Sequence, residues 1–517
     1  MADRLPDQLR LMASAFPDEV AYRNLGDGTS ITFIRWERES NRLAHGLRAR
    51  GVGKGDLVAI CLEAERILEF IVAYSAIHKL GAVSVPVNNR LSPPELRTIL
   101  EHADVSAIIT SGAYEEAVAP LLDALASLVV VATWEPTGRT GFTAVEEVMS
   151  TDDSAIQEPI DVDDLADVMY TSGTTGRPKG VVVRHGNVAM MPNTDPDWQG
   201  TTWLTATPVF TFAGLGFIYN PMKAGMGVLY LPRFDAGHWL EIVERERPVI
   251  AFVVPAMARL LIHHPRFESA DLSSIAMLVL GSAPLTPDTL ERLQARLPGA
   301  DVLNSYGMTE GGHATFSMDP KGSRTHPGAV GRPRSGVEVR IVDDNGEPCA
   351  LGDVGEVITR NPGGHREYYK DPEATARMWA GGWLHTGDLG YVDADGYLYI
   401  AGRKKEMIVR GGMNVYADDV EAVLQAHPSV VEAAVVGIPH DVLGEDVAAH
   451  VVLRPGESVP VEELQRFAGE RLADFKVPRR ITFVDELPRN AGGKVVKSRL
   501  GTIPVRGSQA PPDVAGD

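Results

Sequence analysis

Hydroxyls, glycines and a lysine crowd into one stretch, Tyr170-Thr171-Ser172-Gly173-Thr174-Thr175-Gly176-Arg177-Pro178-Lys179-Gly180. Its three glycines let the backbone turn sharply and bring N–H groups close to a ligand. Four Ser/Thr hydroxyls and the Lys179 ammonium add donors suited to phosphate oxygens. The pattern G-x-x-x-x-G-K-[ST] of nucleotide hydrolases is not met. Counting from Gly173, Pro178 and Gly180 stand where it needs Gly and Ser or Thr. Both flanks, Val168-Met169-Tyr170 and Val181-Val182-Val183, are strand-like, whereas a P-loop runs from strand into helix. The stretch predicts a phosphate-cradling loop between two strands.

Three further stretches carry chemistry. Asn304-Ser305-Tyr306-Gly307-Met308-Thr309-Glu310 offers a ring for stacking on a base, a hydroxyl for phosphate and a carboxylate for Mg²⁺. Trp383-Leu384-His385-Thr386-Gly387-Asp388, followed by Gly402-Arg403, offers an acceptor for ribose hydroxyls and donors to the same sugar. Pro488-Arg489-Asn490-Ala491-Gly492-Gly493-Lys494 ends on a lysine. A fixed ammonium offsets the repulsion that arises where anions are brought together. Each stretch alone also reads as an ordinary turn, and most lysines are simply solvated.

In this order the four stretches resemble the signature motifs of the adenylate-forming (AMP-binding) superfamily, acyl-CoA synthetase or fatty acid–CoA ligase type. The likeness covers nearly the whole chain. It implies that Thr171, Ser172, Gly173, Thr174, Thr175 and Lys179 hold the nucleotide phosphates. It implies that Gly281, Ser282, Ala283 and Pro284 line one side of the adenine, with Asn304, Ser305, Tyr306 and Gly307 on the other and Tyr306 stacked on the base. Thr309 would contact the α-phosphate and Glu310 would hold the metal. Asp388 and Arg403 would take the ribose. Lys494 would be the catalytic lysine on a mobile loop, bridging substrate carboxylate and α-phosphate.

The same resemblance makes Lys405 the hinge about which a small domain turns between half-reactions. Arg410, Gly411 and Gly412 would then help form a pantetheine tunnel, although two adjacent glycines read equally as a tight hairpin turn. An acyl pocket is expected from Trp203, Phe210, Thr211, Phe212, Phe217 and residues 253–257, including Val254 and Met257. The chain departs from the family pattern at three places. Thr211 stands where histidine is frequent, Glu367-Tyr368 where Gly-Tyr is frequent, and Ala417 where proline is common.

The implied function is an ATP-, Mg²⁺- and coenzyme A-dependent ligase that activates a carboxylic acid as acyl-adenylate and transfers it to CoA. No Asp occurs from Thr201 to Phe217 to pair an α-ammonium, which disfavours amino acids and leaves apolar, fatty or bulky aromatic acids. A carrier-protein-loading enzyme, a half-enzyme that only thioesterifies preformed acyl-AMP, and a non-catalytic nucleotide-binding protein are the alternatives. Intact Lys494 and Glu310 argue against the last.

The elements that must position these residues alternate. Strand-like runs at 57–61, 82–87, 105–109, 228–231, 249–254 and 277–280 are interleaved with helical patterns at 34–47, 67–80, 93–103, 236–246 and 287–297. That alternation argues for βαβ units on parallel sheets. From 328 to 400 the texture changes to short strands and turns, a β-rich subdomain. Residues 1–403 are expected to form the large domain and 404–505 a small α+β domain with a helix at 461–474. A disordered tail is expected over 506–517. Neither Val249 to Ile262, the most apolar segment, nor the N-terminus suits a membrane or a signal peptide.

With 517 residues, more than one domain is needed. A formal charge of −20 argues against nucleic acid as a partner. Cys61 and Cys349 show neither disulfide nor metal spacing, in keeping with a reducing cytoplasm. A homodimer is one assembly open to the chain.

Overall fold

The computed structural model describes residues 4–171, 179–187, 191–312, 316–361, 364–440, 442–490 and 494–502. A large N-terminal domain carries two broad sheets and a small β-rich unit, and a smaller α+β domain follows. The expected helices 93–103 and 236–246 form over those residues, because each has a built start. Ser92 and Glu95 make a capping box before Pro93–Ala103, and the Asp235 side chain accepts from His238 N before Ala236–Glu246.

One eight-stranded sheet runs in the order Glu367–Tyr368, Lys179–Arg184, Leu165–Thr171, Val83–Pro86, Leu57–Cys61, Ala107–Ser111, Val130–Trp134 and Thr143–Ala144. Its central strands are parallel and buried, as helices covering both faces require. The strands either side of residues 172–178 depart from this. Leu165–Thr171 and Lys179–Arg184 pair antiparallel, since the short link between them cannot make the crossover a parallel pair needs. Glu367–Tyr368 adds antiparallel to the outer edge, with Tyr368 opposite Val181.

A seven-stranded sheet has the order Asp301–Ser305, Met277–Gly281, Ile250–Val253, Thr201–Thr205, Met226–Tyr230, Val20–Asn24 and Ser30–Thr32. All its pairs are parallel except the last. The strand Val20–Asn24 and the helix Leu5–Ala15 lie outside the sequence reading, and Tyr22 pairs with Val228, far along the chain. The helix Ile67–Lys79 is buried on nearly every side and packs on Phe33–Ala49, where Trp36 Nε1 donates to Ile71 O and Ser75 Oγ, both at 3.0 Å.

The β-rich unit is a four-stranded antiparallel sheet of Glu338–Val342, Gly355–Arg360, Leu384–Val392 and Leu398–Arg403. A short 3-10 turn, Lys404–Glu406, leads into the small domain, whose five-stranded sheet begins at Ile408–Arg410. The helix expected over 461–474 is shorter, Val461–Gly469, followed by a separate 3-10 turn at Asp474–Lys476. Gly469 has the poorest propensity short of proline and ends it. Among the described residues no helix is long and apolar enough to cross a membrane. The tail over 506–517 lies outside the described residues.

Candidate active site

The site begins at the carboxyl ends of two parallel strands. Gly281 pairs with Ser305, so the segments that follow each strand leave the sheet side by side. A side chain at Gly281 would sit 3.0 Å from Ser305 O, which explains the glycine. Ser282 then takes φ +71°, a left-handed conformation that costs a non-glycine residue energy and marks the turn as over-determined by its surroundings. Ser282, Ala283, Pro284, Ser305 and Gly307 are exposed, whereas Asn304 is buried, and its amide donates at 3.4 Å to the carbonyls of Gly328 and Ala329. Asn304 therefore ties the end of its strand to the loop at 328–329.

Asp388 and Arg403 meet because they are register partners on adjacent antiparallel strands. Arg403 Nε lies 3.3 Å from Asp388 Oδ1, and the Tyr306 hydroxyl donates to Asp388 Oδ2 at 2.5 Å. The Asp388 residue is 6% exposed. Burial pushes its carboxyl up from the ordinary range, and Arg403 and the Tyr306 hydroxyl pull it back. Burial, then the Asp388 charge, raises the Tyr306 phenol well above its usual value, so it stays a donor. The half-buried Tyr306 ring is thus anchored at its tip, with Phe316 at 5.7 Å.

Tyr368 joins two other predicted residues. Its hydroxyl donates to Glu310 Oε1 at 3.1 Å, and Lys179 Nζ sits 4.6 Å from its ring centroid. Thr171 and Lys179 are register partners at the ends of their two strands, either side of residues 172–178. Ser172, Gly173, Thr174 and Thr175 lie outside the described residues. Beside Glu310, Thr309 offers its carbonyl to Arg366 Nη1 at 2.6 Å. Arg366 is 1% exposed, also donates to Asn187 O, and places its guanidinium 4.4 Å from the Phe212 ring. Burial pulls its pKa down to about 10, with Asp167 and Glu310 opposing. It remains a cation at neutral pH. Sequence reasoning passed over Arg366 and the contacts of Tyr368, because a lone arginine and an edge-strand tyrosine carry no local signal.

Lys494 comes from the small domain. Its N–H donates to Asn490 Oδ1 at 2.9 Å and Asn490 N donates to Lys494 O at 2.8 Å, which closes the loop on itself. The residue is exposed. Burial, then Arg403, hold its pKa below the usual lysine range, against the attraction of Asp388 and Glu310. One cation thus feels carboxylates from two separate elements of the large domain. Lys405 is likewise lowered by burial and then Arg403. Gly411 and Gly412, with φ +57° and +80°, form the two-residue tip of an antiparallel hairpin in which Arg410 pairs with Met413. Arg410 Nε lies 2.6 Å from Asp446 Oδ1.

The expected acyl-pocket residues fall into different packing groups. Trp203 and Phe217 are buried with Phe252 in an aromatic cluster that Val254 joins. Phe212 packs against a core shared by the two sheets, and Met257 against a second core on the seven-stranded sheet. Phe210, Thr211, Phe212, Val254 and Met257 are all half-buried. Thr211 caps the helix Phe212–Lys223. Its Oγ1 accepts from Gly214 N at 3.0 Å and donates to Pro208 O at 2.7 Å, so its single proton is already committed.

Among the described residues no cluster of three or more His, Cys, Asp or Glu could hold a metal. A lone carboxylate suits Mg²⁺, which is commonly held by one or two carboxylates together with substrate phosphates and water. Glu310 fits that donor set.

Residues 9–369 match the family described as AMP-binding enzyme, and residues 419–494 match the AMP-binding enzyme C-terminal domain. The chain is 37% identical over 480 residues to a feruloyl-CoA synthase from an Amycolatopsis species, covering 92% of this chain and 94% of that one. It is 33% identical to an indoleacetate–CoA ligase of Aromatoleum aromaticum, covering 90% and 91%. The crystal structure of the anthranilate CoA ligase AuaEII in complex with anthranoyl-AMP superposes with a TM-score of 0.86 at 27% identity, covering 96% of each chain. With the ATP, Mg²⁺ and CoA chemistry common to such relatives, the chain belongs to the AMP-binding enzyme family and is an AMP-forming acid–CoA ligase.

Proposed function

We propose that the acid is an apolar, aromatic or fatty carboxylic acid, and that adenylation takes place in the docked arrangement described above. The substrate carboxylate oxygen attacks the α-phosphorus of ATP, the bond to the bridging oxygen breaks, and pyrophosphate leaves. Lys494 sits between the carboxylate and the α-phosphate and offsets their repulsion. Asp388 accepts from the ribose hydroxyls, and Arg403 both neutralises it and donates to the sugar. Tyr306 stacks on adenine, its ring oriented through Asp388. Thr309 donates to the α-phosphate. When bound at Glu310, Mg²⁺ supplies positive charge at the phosphate oxygens. Lys179 and the hydroxyls of the loop beside it hold the rest of the triphosphate. The small domain, from residue 404, then turns about Lys405, the Arg410-Gly411-Gly412 hairpin lines the pantetheine arm, and the CoA sulfur displaces AMP.

The observation that carries this reading is the meeting of Tyr306, Asp388 and Arg403, with the Tyr306 hydroxyl 2.5 Å and Arg403 Nε 3.3 Å from the Asp388 carboxylate, the groups that a base and its ribose need in one place. Support for an apolar acid comes from the half-buried Phe210, Phe212, Val254 and Met257 and from the aromatic acids named for the relatives. Action in the cytoplasm and independence of nucleic acid are part of the same proposal, supported by two unpaired cysteines and strong negative charge.

The test is incubation with ATP, Mg²⁺ and acids ranging from acetate to bulky polycyclic acids, with and without CoA, and identification of products by mass. The expected result is acyl-AMP from an apolar acid without CoA and its acyl-CoA with it. Thioester formed only from synthetic acyl-AMP overturns the adenylation half.

A further inference from the structure

Between the two domains lies a cavity of about 250 Å³. The helices Pro255–Ile262 and Pro287–Arg296 of the large domain form one wall. The end of the helix Ala417–Gln425 and the residues that flank the small domain's two longest strands form the other. Arg259, Arg292 and Arg454 line it, and Asp288 is the one carboxylate among the described residues of its lining. His263 and His427 complete the polar wall. Burial, then Arg454 and Arg292, hold His263 down to about 4, so it is neutral at physiological pH. Three fixed cations therefore stand among the lining residues against Asp288, and Glu432 behind the wall neutralises only Arg259 of the three.

Their partners leave capacity unused. Arg259 pairs with Glu432 at 3.3 Å, and Arg292 donates to Ile262 O at 2.9 Å. Arg454 has no carboxylate partner and no side-chain hydrogen bond among the described residues. The Nε atoms of Arg454 and Arg259 are both sealed from water without an acceptor. The helix Pro287–Arg296 also begins at this cavity with no side-chain cap on its first N–H groups, while the Thr286 hydroxyl donates to Thr289 Oγ1. An uncapped N-terminus adds to the positive potential. Guanidinium groups left without acceptors are costly, and an oxyanion with several lone pairs relieves that cost through charge-assisted hydrogen bonds.

We propose that this inter-domain cavity binds a phosphate-type oxyanion, and that its occupancy holds the two domains in the docked arrangement. Since each domain supplies one wall, the site exists only while they are docked, and a ligand that binds only this arrangement must favour it. On the reading given under Proposed function, the docked arrangement is the one for adenylation, so an occupied cavity retards the turn that precedes acyl transfer. The oxyanion has two sources, free phosphate or pyrophosphate and the 3′-phosphate end of CoA.

The test uses the full chain with AMP saturating its nucleotide site, at constant ionic strength set with chloride. Inorganic phosphate, pyrophosphate and 3′,5′-ADP are titrated separately by calorimetry and followed by thermal unfolding, in wild type, Arg454→Gln and Arg292→Gln. At least one probe is expected to bind saturably and raise the Tm, with affinity reduced about tenfold or more in Arg454→Gln, the loss expected for one charge-assisted contact. A tighter 3′,5′-ADP identifies CoA as the source, and tighter phosphate or pyrophosphate identifies the free anion. Equal affinity in wild type and both variants, or no saturable binding, overturns the site. The second readout is acyl transfer from synthetic acyl-AMP to CoA with the best probe present. It should slow in wild type and not in Arg454→Gln, and binding without any slowing overturns the docking role. The binding arms need no acid, so they stand or fall separately from the proposed adenylation.

Discussion

Lys494 owes its position to a loop closed by Asn490 and to a field shared with Arg403, Asp388 and Glu310. A charge that acts on the transition state and makes no folding contact is removable without unfolding. Lys494→Ala is therefore expected to lower adenylation by about 10²-fold or more, with ATP affinity and Tm near those of wild type. Pyrophosphate exchange at the wild-type rate would sink the assignment. Thr211 behaves in the opposite way. Its hydroxyl is spent on the cap of the helix Phe212–Lys223 and on Pro208 O. Thr211→Ala should cost about 1 kcal/mol of stability in urea denaturation, as N-cap losses do, while Thr211→Ser restores it. A collapse of adenylation in Thr211→Ser would instead show that the lost methyl group touches substrate.

At the scale of elements, the helix Ala417–Gln425 carries an acidic first turn into a buried cluster. Lys497 Nζ stands 3.0 Å from Glu406, 2.8 Å from Glu421 and 4.0 Å from Asp418. One ammonium serves three carboxylates, and Asp418 is the one least well paired. Burial, then repulsion from Glu421, push its carboxyl up to about 7. In the unfolded chain an aspartate titrates near about 4. Between these values the unfolded chain has released the proton and the folded one has not, so unfolding gains as pH rises and levels off above about 7. Asp418→Asn lacks this group. Its stability advantage over wild type is expected to grow from pH 4 to pH 7 and then stay constant, measured by denaturation midpoints across that range. Parallel pH profiles for the two proteins would refute the assignment.

For the molecule as a whole, Glu432 of the small domain is shared by Arg259 on the large domain and by Arg489, five residues before Lys494. The pair with Arg259 is mostly buried, where loss of one partner leaves an uncompensated charge and costs more than a surface ion pair. It also couples the loop bearing Lys494 to the docked face. Glu432→Ala is expected to slow adenylation several-fold by depopulating the docked arrangement, while transfer from synthetic acyl-AMP to CoA is unchanged or faster. Comparing the two half-reactions in one preparation checks it, and equal slowing of both would point to a general loss of fold.

What was legible in the chain was local. The order of the four motifs, the strand–helix alternation and the helices opened by Ser92-Pro93 and Asp235 are written in neighbouring residues, where capping, proline and apolar period act within a few positions. The pairing of Asp388 with Arg403 was half legible, since both residues were named but only the hairpin register sets them face to face. Tyr368 between Glu310 and Lys179, the buried Arg366 over Phe212, the capping duty of Thr211 and the bridge at Glu432 were not legible. Tyr368, Arg366 and Glu432 join residues far apart in sequence, and their meeting depends on sheet order, strand direction and the docking of two domains. Thr211 has a short-range contact, but its type alone does not say whether the hydroxyl serves a helix end or a substrate. The sequence thus determined which chemical groups are present and which local elements carry them. Tertiary structure decided which groups share one low-dielectric site, because register and packing fix distances that local pattern leaves free.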